Sequence, residues 1–285
     1  MKKLSRILIF LMALSLTQTS CKKEESASTD NNTQNNNGFA TIPSAFTKKA
    51  LVEEYTGEWC VNCPDGVTYL KNISAKYPTQ TIIAGVHQGD WLEISQLNTL
   101  STHLGGIGGY PRASINRVPA QATTNGQDGM VVYSRGNWET NVARLIDAST
   151  TKTGKTGLAI ESSLSGDNLN IKVHCGFTAN ETRKTYLTVY ILENEITAIN
   201  QIGATTSPYV HEHVLRKVVT AGTGDAIDMT KGNYVMKEFK DINISAYNKA
   251  NVEVVAFINV IGSTSTTHEV LNVQKVKAGE TKSYD

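Results

Sequence analysis

The stretch that decides the fold is Glu53-Glu54-Tyr55-Thr56-Gly57-Glu58-Trp59-Cys60-Val61-Asn62-Cys63-Pro64. Its first half continues Lys49-Ala50-Leu51-Val52 as a short strand that stops at Gly57. Its second half opens a helix from Cys63 to Tyr77, in which Val67, Leu70, Ile73 and Ala75 form an apolar face and Tyr77-Pro78 ends the run. Two cysteines at i and i+3 thus sit where a strand gives way to a helix. The first thiol lies at the helix N-terminus, where unpaired N–H groups and the dipole favour a thiolate. A thiolate attacks disulfides, and a second Cys one turn later resolves the mixed disulfide. Pro64 fits because first-turn N–H groups have no helical partner.

Beyond this stretch, Thr81 to Val86 reads as a buried strand, Trp91 to Leu104 as a helix, Gly105 to Gly109 as a turn and Ala113 to Val118 as a strand. Met130 to Ala148 carries Val131, Trp138, Val142, Leu145 and Ile146 at helical spacing. Alternating strands and helices imply a sheet covered by helices. After the polar stretch Thr151 to Lys155 the pattern changes to runs of period two. These are Leu158 to Ser162, Leu169 to Phe177, Tyr186 to Leu192, Val210 to Val219, Tyr234 to Phe239, Val252 to Ile261 and Glu269 to Val276. Seven such runs separated by turn residues predict an all-β immunoglobulin-like sandwich after the α/β half.

The chain has 285 residues, enough for one or two domains with real cores. Four Cys are too few for a disulfide-stapled mini-protein, and 22 Gly without a three-residue period exclude a collagen-like chain. A net charge of +1 with no basic stripe argues against a nucleic-acid partner. The N-terminus has its own signature: Lys2, Lys3 and Arg6, the apolar run Ile7 to Leu16, then Thr17-Gln18-Thr19-Ser20 and Cys21. That is a secretory signal, too short to span a bilayer. A Cys after a small residue at the cleavage point resembles the lipobox of bacterial lipoproteins, with Gln18 where Leu is usual; the resemblance implies acylation of Cys21. The plain alternative is ordinary secretion with Cys21 removed or free. The Ser-, Asn- and Thr-rich stretch from Ser26 to Gly38 reads as a tether. The expected organisation is a signal peptide over 1–20, a lipid-attached disordered tether over 21–45, an α/β domain over 46–150 and a β-sandwich over 151–285.

Three chemistries compete for Cys60 and Cys63. Zinc needs two more ligands, and Cys21 is assigned to lipid while Cys175 lies on an apolar strand face. A structural disulfide in an oxidising compartment and a redox-active pair both remain.

The quoted segment resembles the active-site segment of thioredoxin-like proteins. Its Glu-Glu-aromatic-Thr-Gly lead-in is similar to that of Omp28-related outer-membrane lipoproteins. Gly109-Tyr110-Pro111-Arg112-Ala113-Ser114-Ile115-Asn116-Arg117 resembles their second motif, and Tyr209-Val210-His211-Glu212-His213-Val214-Leu215-Arg216 a third. The resemblance implies a thioredoxin-like domain with Cys60 attacking and Cys63 resolving. It implies a cis-proline at Pro111 packed beside the cysteines, with Tyr110, and Trp59 ahead of the pair, at the substrate. It also implies a buried Glu54 that takes a proton from the resolving thiol; a solvated strand-end Glu is the alternative. Val61 and Asn62 stand where many thioredoxin motifs carry Pro or His, so the direction of electron flow stays open.

His211 and His213, at i and i+2, would share a face of one strand and read as structural. His174 faces away from the apolar set that contains Cys175, a buried small hydrophobe. The glycines of 105–109 lack the Lys and Ser/Thr of a phosphate loop. The resulting expectation is a lipid-anchored outer-membrane protein that exchanges protein thiols and disulfides, with no bound cofactor or metal and an external electron partner. The alternative is a surface-binding or adhesive lipoprotein with a fixed disulfide.

Overall fold

The structure, a computed structural model, describes residues 38–147, 153–230, 232 and 234–285. The expected signal peptide, Cys21 and most of the tether lie outside the described residues. In chain order the first half contains β1 (Phe46–Thr47), β2 (Ala50–Thr56), α1 (Cys63–Lys76), β3 (Thr81–His87), α2 (Leu97–His103), β4 (Arg112–Ile115), β5 (Tyr133–Ser134) and α3 (Trp138–Asp147). The second half contains β6 (Thr153–Gly154), β7 (Thr156–Ser165), β8 (Asn168–Phe177), β9 (Thr185–Glu193), β10 (Ile196–Ala198) and β11 (Tyr209–His211). It continues through β12 (Val214–Val218), β13 (Asp225–Ile227), β14 (Tyr234–Asn243), β15 (Val252–Val260), β16 (Glu269–Lys277) and β17 (Thr281–Lys282). No helix among the described residues is long and apolar enough to cross a membrane.

Every residue of β2 and β3 is buried, Glu53 and Glu54 of β2 included, which fits the apolar run of β3 and the parallel pairing of the two from Ala50↔Thr81 to Thr56↔His87. The other edge of β2 pairs antiparallel with β4. Alternation along β2 then sorts its side chains. Ala50 and Val52 face α1 and α3, where Leu70, Ile73, Trp138, Val142 and Ile146 pack. Leu51 and Tyr55 face α2 and a group from the second half that includes Tyr190, Leu215 and Phe257.

Among the described residues one large sheet runs β16-β15-β9-β12-β3-β2-β4-β5, with β13 also on β9. A four-stranded sheet, β14-β8-β7-β17, lies opposite its β9–β15 part. Leu169, Ile171, Val173 and Phe177 of the smaller sheet meet Leu187, Val189, Val254 and Ala256 of the larger in one core. The change of pattern at 151–155 is therefore a change of element type. It does not separate two cores, because β12 pairs parallel with β3 and the Gly85 N–H donates to the His213 carbonyl at 2.7 Å. Residues on both sides of position 150 share the core around Leu51 and Phe257.

Several expected elements are shorter than their apolar patterns. The helix predicted over 91–104 is regular only in α2, because Asp90 ties down the start: its side chain accepts the Leu92 and Glu58 N–H groups. The helix predicted over 130–148 begins at Trp138, since Val131 and Val132 enter the core ahead of the short strand β5. The strand predicted to Val118 ends at Ile115, where Asn116 and Arg117 turn left-handed at φ 47° and 56°. That turn aims Arg117 at Glu53. Its Nε and Nη2 donate to the Glu53 carboxylate at 2.8 and 2.7 Å, and Nη2 also donates to the Tyr190 hydroxyl at 2.9 Å. The strand predicted over 210–219 is broken at Glu212–His213, with His213 at φ 57°, so His211 and His213 are not on one strand.

A fragment spanning 38–147 would expose the β3 edge and half of a shared core. We expect it to show no cooperative urea transition by circular dichroism, whereas 38–285 unfolds in one. A sigmoidal transition for the fragment alone would contradict the shared core.

Candidate functional site

Cys60 and Cys63 form a disulfide. Cys60 sits in the turn before α1, its N–H donating to the Gly57 carbonyl at 3.0 Å and its carbonyl accepting the Cys63 N–H at 3.2 Å. The helix itself starts at Cys63, after Asn62. The turn can form because position 57 is Gly: a Cβ there would come within 2.6 Å of Trp59 Nε1 and 2.7 Å of the Gln88 carbonyl. Trp59 donates to that carbonyl and stacks edge-on against Tyr110 with ring centroids 5.0 Å apart. The Tyr110–Pro111 peptide is cis, and buried Pro111 lies against α1 where Gly66 leaves room for it, a Cβ there meeting Pro111 at 2.9 Å.

Both cysteines are buried, Cys60 4 % and Cys63 2 % exposed, although Trp59 and Val61 on either side of Cys60 in sequence are exposed. The cover comes from the second half. In the loop between β10 and β11, the Ile202 N–H donates to the Glu58 carbonyl at 2.8 Å. Gln201 Nε2 donates to the Cys60 carbonyl at 3.2 Å. Gly203 approaches so closely that a Cβ would stand 2.1 Å from the Val61 carbonyl oxygen.

Behind the pair lies a cavity of ≈ 210 Å³. Cys63 and Leu70 of α1, Glu54 of β2 and Gly85 of β3 form one side, and Gln201, Tyr209 and His211 the other. Glu54 is 3 % exposed, on the α1 face of β2. Burial pushes its carboxyl up to about 8, against a lowering hydrogen bond from Thr56; Oε1 has no partner. Burial and the neighbouring His87 push His211 down to about 4. Burial and Glu54 push Tyr209 up to about 12. Asp90 accepts a hydrogen bond from His87 Nδ1 at 2.7 Å; burial opposes its ionisation, but His87 and the Glu58 and Leu92 N–H groups hold it below its usual range.

A family model described as outer membrane protein Omp28 matches residues 100–282. The chain belongs to the Omp28 family. It is thus an outer membrane protein. HBP35 of Porphyromonas gingivalis is similar in fold, with a TM-score of 0.69 at 18% identity over 84% of this chain and 77% of that one. A protein from Agrobacterium tumefaciens follows at 0.53 and 16%, covering 82% of this chain and 96% of its own. No curated protein sequence matches.

In this Omp28-family chain the structure brings Glu54, Trp59, Cys60, Cys63, Tyr110 and Pro111 to one place, and Cys21 lies outside the described residues. His174 is buried between Glu161, which it meets at 2.6 Å, and Tyr234, on the smaller sheet. Cys175 beside it is free and buried. Neither joins the site, and no group among the described residues could hold a metal ion. Sequence reasoning missed Gln201, Tyr209 and the nearness of His87 and His211, whose rings are 4.8 Å apart. Gln201 carries no motif, whereas the Tyr-Val-His run carried one.

The raised Glu54 carboxyl has a consequence for stability. Between the unfolded value near 4.5 and the folded value near 8, the folded state keeps a proton that the unfolded chain has released, so stability falls as pH rises. Glu54→Gln should remove this loss, gaining on the order of 1–3 kcal/mol over wild type at pH 9 and little at pH 4. Urea titrations at both pH values measure it; an equal effect at both would contradict the buried, protonated carboxyl.

Proposed function

We propose that this chain is an outer-membrane lipoprotein, anchored through Cys21, that exchanges thiols and disulfides with other proteins through Cys60 and Cys63. The observation that carries the reading is Glu54: a buried carboxyl, raised by burial and with no cation against it among the described residues, on the cavity that Cys63 lines. In the reduced pair the Cys60 thiolate attacks a substrate disulfide and one substrate thiolate leaves. Cys63 passes its proton to the Glu54 carboxylate, and its sulfur then attacks Cys60. The second substrate thiolate leaves and takes up a proton from solvent. The pair ends as the disulfide, two electrons having moved to the substrate. In the opposite direction protonated Glu54 returns the proton to Cys63 as it leaves.

For the fold we infer a thioredoxin-like half and an immunoglobulin-like sandwich fused through a common sheet. The first is supported by the order β3-β2-β4-β5, helices on both faces and the cis Tyr110–Pro111 bond against α1. The second is supported by the order β7-β8-β14 facing β9-β15-β16, which matches the A-B-E and C-F-G neighbours of immunoglobulin sheets. Trp59 and Tyr110 would then flank the bound substrate, with an external partner resetting the pair.

One observation favours a second reading. The pair is sealed under the loop containing Gln201 and Gly203, as a fixed disulfide in a surface-binding lipoprotein would be. Trapping separates the two. Cys63→Ser should accumulate mixed disulfides through Cys60, seen as thiol-sensitive bands from intact cells, and Cys60→Ser should trap several-fold less. Equal absence of adducts from both would leave the fixed-disulfide reading. Independently, a palmitate analogue should label the wild type and leave Cys21→Ala unlabelled; unchanged labelling of the variant would contradict the anchor.

A further inference from the structure

Among the described residues lining the cavity behind Cys63, Glu54 Oε1, Gln201 Oε1 and His211 Nε2 are buried polar atoms with no hydrogen-bond partner, as is His213 Nδ1, which has Glu253 Oε2 at 3.6 Å. Glu54 comes from the first half, and Gln201 and His211 from the second. A buried polar atom left bare is destabilising, so their gathering around one space calls for something polar within it. Water meets the need. A site holds water when it offers roughly 10–15 Å³ and two to four polar partners, and this cavity of ≈ 210 Å³ offers far more room.

We propose that this cavity is the proton exit of the cysteine pair, in which water held by His211 Nε2 and Gln201 Oε1 carries the proton between Glu54 and solvent. The proposal rests on the exchange reading above and deepens it. Each time Cys63 gives its proton to Glu54, that proton must leave before the next turnover, and the route past Cys60 is closed by the loop bearing Gln201. The remaining way lies between α1 and β11. His211 is a positioning residue here, acting through Glu54. Its ring stands edge-on to that of His87, which Asp90 holds through Nδ1. The other ionisable groups on the cavity wall are Lys71 from α1, Tyr209 from β11, and Glu212 and His213 from the turn before β12. His213 interacts on its far side with Glu253, Nδ1 to Oε2 being 3.6 Å. Lys71 and Glu212 are exposed and stand at the solvent end.

The test uses the full chain, reduced, with oxidised glutathione as the probe, and follows resolution of the glutathione mixed disulfide from pH 5 to 9. His211→Phe keeps a ring against His87 but removes the nitrogen; it should slow resolution about tenfold, below the range of a direct general acid or base, and move the pH profile. His211→Gln, which keeps a polar atom, should recover most of the rate. In a Glu54→Gln background His211→Phe should have no further effect, because residues acting in one path are non-additive. Unfolding midpoints and the free-thiol count establish that each variant is folded. An unchanged rate and profile in His211→Phe, or the same slowing with and without Glu54, would overturn the proton exit while leaving the exchange reading standing. A wild type that forms no glutathione adduct, or one whose resolution ignores Glu54→Gln, would overturn both.

Discussion

The pairing of β12 with β3 is the constraint on which the rest depends. An unpaired β3 edge would leave a row of buried backbone groups unsatisfied. The second half fills that edge with Val214 opposite Gly85 and the His213 carbonyl on the Gly85 N–H. Once β12 is fixed, the preceding chain has little freedom. β11 must lie over α1's flank of the sheet, and the β10–β11 loop falls on the cysteine turn. The cover over Cys60, the far wall of the cavity and the core shared by Leu51 and Phe257 are consequences of one sheet edge.

Glu53 and Glu54 show how one sheet can treat adjacent carboxyls differently. Both are buried, and strand alternation sends them to opposite faces. Glu53 meets Arg117 and Tyr190, so burial is outweighed by charge and hydrogen bonds and the carboxyl stays below its usual range. Glu54 meets no cation among the described residues, and burial wins. The first is a structural pair, costly to break on one side only. The second is a raised carboxyl on the cavity that Cys63 also lines. The difference arises from the left-handed turn at Asn116–Arg117, which brings a guanidinium to Glu53 on one face only.

Much of this was legible in the sequence because it is local. The strand ending at Gly57, the helix opening at Cys63 and the continuous apolar run of β3 depend on neighbours a few residues away, and the structure has them within one residue of their predicted limits. The period-two runs gave the strands of the second half for the same reason. What stayed hidden is non-local. Nothing in Val214-Leu215-Arg216 says that it pairs with a strand about 130 residues earlier, so the chain reads as two domains. Gln201 sits in a loop without pattern, and its role comes only from where β12 places it. His211 and His213 looked like one strand face until a left-handed His213 separated them.

The central claim is that Cys60 and Cys63 are an exchangeable pair, and the reduction potential of the intact chain tests it most directly. Equilibration with glutathione buffers, quenched and counted for free thiols, gives the value. The account predicts a potential between roughly −120 and −270 mV, the span of exchangeable pairs. A potential below about −300 mV, where structural disulfides lie, would contradict it and leave the sealed cysteine turn as a fixed clasp.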